Sequence, residues 1–166
     1  MLLTLAHVGP KPASKPGKLS PKSHYDALTR LYLDRISPFI PADLQAFPTE
    51  AAFLEWLAHP RNSGKAMRTP MHPVLLDGPR GRQLTSSEFA SWLGARRDQG
   101  IQHIVFAIGP ADGWTPTAID CAPTRSGLVL SFGPITMAHD LARLVLAEQL
   151  YRACTILQGH PYHSGH

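Results

Sequence analysis

Apolar residues along the chain recur with two different periods, and the switches between them mark the elements. Met1 to Val8 is a leucine-rich run closed by Gly9-Pro10, which predicts a first strand. From His24 to Ser37, Leu28, Leu31, Tyr32, Arg35 and Ile36 stand at helical spacing until Pro38 stops the segment, which predicts a crossover helix. Ala42 to Phe47 alternates weakly, as a short second strand would. Thr49 to His59 predicts a short helix with Phe53, Leu54, Trp56 and Leu57 inward. Val74-Leu75-Leu76-Asp77 is a compact apolar run of the kind found in buried strands. Thr85 and Glu88 have the spacing of a capping box, opening a helix through Phe89, Trp92 and Leu93. Ile101 to Ile108 is a further strand running into Gly109-Pro110-Ala111-Asp112-Gly113 ahead of a short helical stretch. Leu128 to Phe132 is the last strand.

The segment from His139 to Gln158 dominates the chain. Leu146, Leu150, Ala153, Cys154 and Leu157 line one side of a helix, and Leu141, Val145 and Ile156 widen it. A helix apolar over most of its girth must be covered over most of it, as a central core helix, half of a subunit interface, or both. Glu148 and Arg152, at i and i+4, mark the remaining wet side. Asp140 suits the positive end of the helix dipole, and Gly159 followed by Pro161 ends the helix. Alternating strands and helices argue for an α/β fold, a mostly parallel sheet flanked by helices, in one domain spanning residues 1–166. Ligands of such sheets sit beyond the carboxyl ends of the strands, where the loops after Leu76, Ile108 and Phe132 fall.

Composition narrows the classes. A charged fraction of 17% excludes a highly charged disordered chain. A formal charge of +4 and a pI near 9.3 permit an anionic partner, nucleic acid first among them. The basic, proline-rich stretch 10–23 carries Lys11, Lys15, Lys18 and Lys22, which serve either as a solvated connection or as phosphate contacts without sequence preference. Cys121 and Cys154 lack metal or redox spacing and read as reduced thiols. The first residues lack the basic flank of a signal peptide, so the expected location is the cytoplasm, with no membrane span. His160, His163 and His166 have no carboxylate or cysteine beside them, and no metal is expected.

Glycine, proline and apolar residues in three loops make a slot for a flat, mostly uncharged heterocycle held by backbone groups. Neither GxGxxG after the first strand nor GxxxxGK[ST] is present, which argues against nicotinamide cofactors and nucleoside triphosphates. The run Thr136, His139, Leu141-Ala142-Arg143, Glu148-Gln149-Leu150-Tyr151-Arg152-Ala153 and His160-Pro161-Tyr162-His163 closely resembles the C-terminal signature of the bacterial ribosomal RNA large-subunit methyltransferase H family, within the SPOUT class. Leu76-Asp77, Gly81-Arg82 and Ser86-Ser87-Glu88-Phe89-Ala90 are a second stretch similar to that family, in the expected order. The resemblance is strong over residues 75–163.

The resemblance implies a SPOUT fold with a C-terminal trefoil knot and a homodimer, acting on N3 of a pseudouridine in helix 69 of 23S ribosomal RNA on the assembled ribosome. It implies S-adenosylmethionine as methyl donor, lined by Leu76, Gly109, Phe132, Gly133, Pro134, Ile135, Thr136 and Met137. His139, Arg152, Tyr162 and His163 are then the candidates for managing the N3 proton and the developing charge, with Tyr162 and His163 reaching the partner's site. Arg152 cannot serve as a base. His139 either acts there or merely packs at its helix start, and Arg143 is either a phosphate contact or a solvated residue. Two departures stand out: Ile108-Gly109-Pro110 where relatives typically have Ile-Gly-Gly, and Ser164 where a basic residue usually follows the terminal Tyr-His. They leave open a ribosome-binding factor without methyl transfer, or a methyltransferase of another RNA.

Overall fold

The computed structural model describes residues 1–9, 21–59, 70–125 and 128–163, with side-chain placement omitted at 21–23, 121–125 and 163. The expected strands are present: β1 (Leu2–Val8), β2 (Ala42–Phe47), β3 (His72–Leu76), β5 (His103–Ile108) and β6 (Val129–Ser131). A two-residue β4 (Arg82–Gln83), too short for any periodic signal, completes a six-stranded, all-parallel sheet of order β2-β1-β5-β3-β6-β4. Helices α1 (Pro21–Ile36), α2 (Glu50–Ala58), α3 (Ser86–Asp98), α4 (Pro116–Arg125) and α5 (His139–Leu157) cover it. Among the described residues no helix is long and apolar enough to cross a membrane.

Alternate residues of a strand point to opposite faces, so the two central strands feed two cores. Leu3 and Leu5 of β1 and Ile104, Phe106 and Ile108 of β5 pack under α1, α3 and α5, with Leu146 and Leu150 of α5 among their neighbours. Ala6, Val8, Val105 and Ala107 face the other way, toward Phe53 and Leu57 of α2 and Ala118 and Ile119 of α4. The capping box forms as its spacing predicts: Thr85 Oγ1 accepts from the Glu88 amide at 3.2 Å, and Glu88 Oε2 accepts from the Thr85 amide at 2.8 Å.

The apolar residues at helical spacing in α1 do not all face the core. Leu28 and Leu31 are each 43% exposed, whereas Asp26, Thr29, Leu33 and Ile36 are buried against α5. Hydropathy points the wrong way here because a buried cation on α5, Arg143, draws Asp26 inward. The wet side expected at Glu148 and Arg152 is likewise half-buried, since Tyr162 folds back onto it.

The path at the β4 edge is unusual. Leu76 of β3 and Arg82 of β4 flank the same residue, Leu130 of β6, from opposite sides, so residues 77–81 carry the chain across β6. Asp77 N–H donates to Leu130 O at 2.9 Å and Gly81 N–H to Asp77 O at 3.0 Å, pinning both ends of the crossing.

Candidate active site

The carboxyl ends of β3, β5 and β6 open into a cleft of about 950 Å³. That volume lies within the range of small-molecule sites, roughly 300–1,000 Å³. Leu76, Gly109, Phe132, Gly133, Pro134, Ile135, Thr136 and Met137 all line it, and so does His139 from the first turn of α5. Ser131 ties two of its walls together: its hydroxyl donates to Gly78 O at 3.0 Å and accepts from Gly133 N–H at 3.0 Å. Gly133 sits at φ +104°, a conformation that a side chain would strain, with open space where its Cβ would be.

Gly109 has a different reason for being glycine than close approach to a ligand. A Cβ there would lie 2.8–3.0 Å from the indole of Trp114, which covers it and donates from Nε1 to Leu76 O at 3.0 Å. Pro110 is accommodated because the following turn closes through Gly113 N–H to Pro110 O at 2.9 Å. The fold therefore does not require the N–H that proline lacks, and only a bound ligand would feel its loss.

Beneath the cleft lies a polar cluster with no signal in the hydropathy pattern. His7 of β1 is 1% exposed, and Arg143 of α5 is 2% exposed. Arg143 is ion-paired with Asp26 of α1 and with Asp140 at 3.3 Å, and its Nη1 donates to His7 Nε2 at 3.3 Å. A guanidinium cannot accept, so His7 carries its proton on Nδ1. Arg143 is thus an internal structural cation, which overturns its reading as a phosphate contact or a solvated residue. The His7 and His139 rings meet edge to face at 5.6 Å. Burial first, then the Arg143 and His139 charges, pushes His7 down to about 4.

Burial also lowers His139, opposed by Asp140, whose carboxylate lies 3.9 Å from Nδ1, and by the nearby carbonyls of Val8 and Gly109. Although those carbonyls sit beside the ring, no hydrogen bond of good geometry reaches the buried Nε2. His139 is therefore neutral near pH 7, with its partly exposed ring at the cleft wall.

The buried His7 makes stability depend on pH in a defined direction. Its unfolded imidazole titrates near 6.5 and its folded one near 4, so between these values the unfolded chain binds more protons. The contribution is complete above pH 6.5 and lost as pH falls toward 4, on the order of 2–3 kcal/mol. Urea denaturation at pH 7.5 and 5 should show this loss, and His7→Gln should flatten it. An unchanged pH dependence in the variant would contradict the assignment.

The remaining candidates are not in this cleft. Arg152 reaches Glu148 Oε1 through Nη2 at 2.7 Å and Nε at 3.0 Å, and Tyr162 O–H donates to the same oxygen at 3.2 Å. The Arg152 guanidinium lies 5.1 Å from the Tyr162 ring centre, and Tyr151 packs edge-on against Tyr162 at 4.8 Å. Burial, a Tyr32 hydrogen bond and the Glu148 charge push the Tyr162 phenol up to about 12. At about 1.5 Å rise per residue, Glu148 stands roughly 14 Å along α5 from His139. One chain therefore does not bring Arg152 and Tyr162 to His139. Lys11, Lys15 and Lys18 lie outside the described residues, as do the side chains of Lys22 and His163. Among the described residues no group of three His, Cys, Asp or Glu is placed to hold a metal.

Comparison with known proteins decides the family. Residues 15–163 match the family described as predicted SPOUT methyltransferase. The chain belongs to the SPOUT methyltransferase family. Over 145 residues it is 43% identical to the ribosomal RNA large subunit methyltransferase H of Koribacter versatilis, covering 87% of this chain and 92% of that one. The protein of the same name from Xanthobacter autotrophicus is 39% identical over 159 residues, covering 89% and 94%. That from Novosphingobium aromaticivorans is 52% identical over 95 residues, covering 57% and 64%. In this SPOUT chain the cleft residues that the pattern did not reveal include Asp77, Arg80 and Trp114. Only their position at strand ends and in the loops that follow could have flagged them.

Proposed function

We propose that this SPOUT methyltransferase transfers a methyl group from S-adenosylmethionine to N3 of a pseudouridine in helix 69 of 23S ribosomal RNA. It would do so as a single-domain homodimer acting on assembled ribosomes in the cytoplasm. The observation that carries this reading is the convergence of three strand-end loops and His139 on one cleft of small-molecule size. The lining fits the donor in kind: apolar side chains and backbone for a flat heterocycle, with the left-handed Gly133 opening one wall. When bound, the donor supplies an activated methyl carbon that bonds to N3 as its bond to sulfur breaks, leaving a neutral thioether.

The chain's own residues handle orientation and the proton. His139, neutral and at the cleft wall, accepts the N3 proton as the nitrogen attacks. Arg152, Tyr162 and His163 would enter from the partner subunit, which accounts for their distance from His139 within one chain. There Arg152 offsets negative charge developing on the base, and Tyr162, held as a phenol, donates a hydrogen bond. Leu28 and Leu31 are exposed on α1 next to the half-buried Tyr32, whose ring meets that of Tyr151, an apolar face suited to an isologous twofold contact. The crossing of residues 77–81 over β6 supports the trefoil knot of the family. Lys11, Lys15, Lys18 and Lys22 would contact phosphates.

Unmodified ribosomes given donor with a labelled methyl group provide the test, with mass spectrometry locating the labelled nucleotide. Label on N3 of the helix 69 pseudouridine is the expected result. Label elsewhere would move the enzyme to another RNA site, and ribosome binding without label would make the chain a binding factor.

A further inference from the structure

Among the described residues lining the cleft, Arg80 is the only lysine or arginine. By sequence it is merely part of the Gly78-Pro79-Arg80-Gly81 turn, yet its guanidinium is held in a defined plane. Nε donates to Asp77 Oδ2 at 2.9 Å and Nη2 to Trp114 O at 3.0 Å. The same carboxylate oxygen accepts the Arg80 backbone N–H at 3.1 Å, which fixes the base of the side chain. Both anchors are rigid. Asp77 is 7% exposed and tied to β6 through its own amide, and Trp114 is 4% exposed and bonded to Leu76.

The side chain nevertheless remains 44% exposed, and no hydrogen bond among the described residues reaches Nη1. Two edges of the fork are thus spent on orientation, and the third is left open on a side chain that lines the cleft. A guanidinium fixed in this way suits an oxyanion approaching from outside. The wall formed by residues 132–137 is mostly apolar side chain and backbone, which asks for no cation. A polymer lying across the mouth, by contrast, brings phosphates to the rim, where contacts position the substrate.

We propose that Arg80 binds the RNA substrate, donating from Nη1 to a backbone phosphate at the cleft mouth. This rests on the RNA methyl-transfer reading given above. Because Asp77 already neutralises much of the charge, the contact is directional, and Lys, which cannot be held at two edges, does not replace Arg.

Binding of unmodified ribosomes by the full-length protein across a salt series tests the proposal, using wild type, Arg80→Gln and Arg80→Lys. Arg80→Gln should weaken binding about tenfold, reduce the slope of log affinity against log salt by roughly one, and leave calorimetric binding of S-adenosylmethionine unchanged. Arg80→Lys should recover the salt slope but not the full affinity. Unchanged ribosome binding in Arg80→Gln overturns the proposal. So does weakened S-adenosylmethionine binding with ribosome binding intact, which would assign Arg80 to the donor's carboxylate. Equal thermal midpoints exclude misfolding as the cause. Failure of the wild type to methylate ribosomes would strike the functional reading separately, since ribosome binding is measured without turnover.

Discussion

Gly81→Ala should leave little folded protein. A Cβ on Gly81 would lie 2.4 Å from Asp77 O and 2.5 Å from both C and O of Leu130. All three are backbone atoms, so no rotamer change relieves the contact, and Leu130 belongs to a strand held between β3 and β4. Overpacking against side chains already costs about 1–3 kcal/mol, so opening a backbone crossing should cost at least about 3 kcal/mol. Soluble yield and the thermal midpoint read this out. Gly100→Ala is the matched control: φ is +78° there, but nothing lies within 4 Å of the added Cβ. Its cost should be only about 1 kcal/mol. Equal stability of the two variants would show that the chain does not cross β6 as closely as described.

Arg143→Met is the second large effect. It removes the guanidinium that neutralises Asp26 on α1 and Asp140 on α5 and that donates to His7. Breaking a buried pair from one side costs about 3–5 kcal/mol, most of it the penalty of the carboxylate left behind. Asp26→Leu combined with Arg143→Met removes both charges and should recover at least half of the loss. A double-mutant cycle in urea measures that coupling. Additive single effects would mean that the pair is not coupled. The cluster also seats the first turn of α5, so Arg143→Met should loosen the wall of the cleft that carries His139.

What the sequence discloses and what it hides divide along physical lines. Strands β1, β3, β5 and β6 are legible because they are apolar runs, β2 through its weak alternation, and α3 because its capping box is a local bonding pattern. Gly109, Phe132 and the 133–137 loop are legible through the strand-end rule and the family resemblance, and they converge on one cleft. The pairing of Asp26, His7 and Arg143 is not legible. Its members are far apart in the chain, and each alone reads as a surface residue until the fold buries them together. The exposure of Leu28 and Leu31 on α1 is hidden for the same reason, since hydropathy alone would bury them. Arg80 and Trp114 escape notice because their roles are hydrogen bonds between loops, which leave no period. The two-residue β4 and the crossing that leads to it are set by tertiary contacts alone.

The measurement that bears most directly on the cleft is calorimetric titration of S-adenosylmethionine into the wild-type protein and into Ile135→Trp. Ile135 is 77% exposed on the cleft lining, so the larger ring should fill the cleft at little cost to folding. Saturable binding to the wild type at up to one donor per chain, abolished in a normally folded Ile135→Trp, is the predicted result. Absence of binding to the wild type, or binding that the tryptophan leaves untouched, would contradict the assignment of this cleft to the methyl donor.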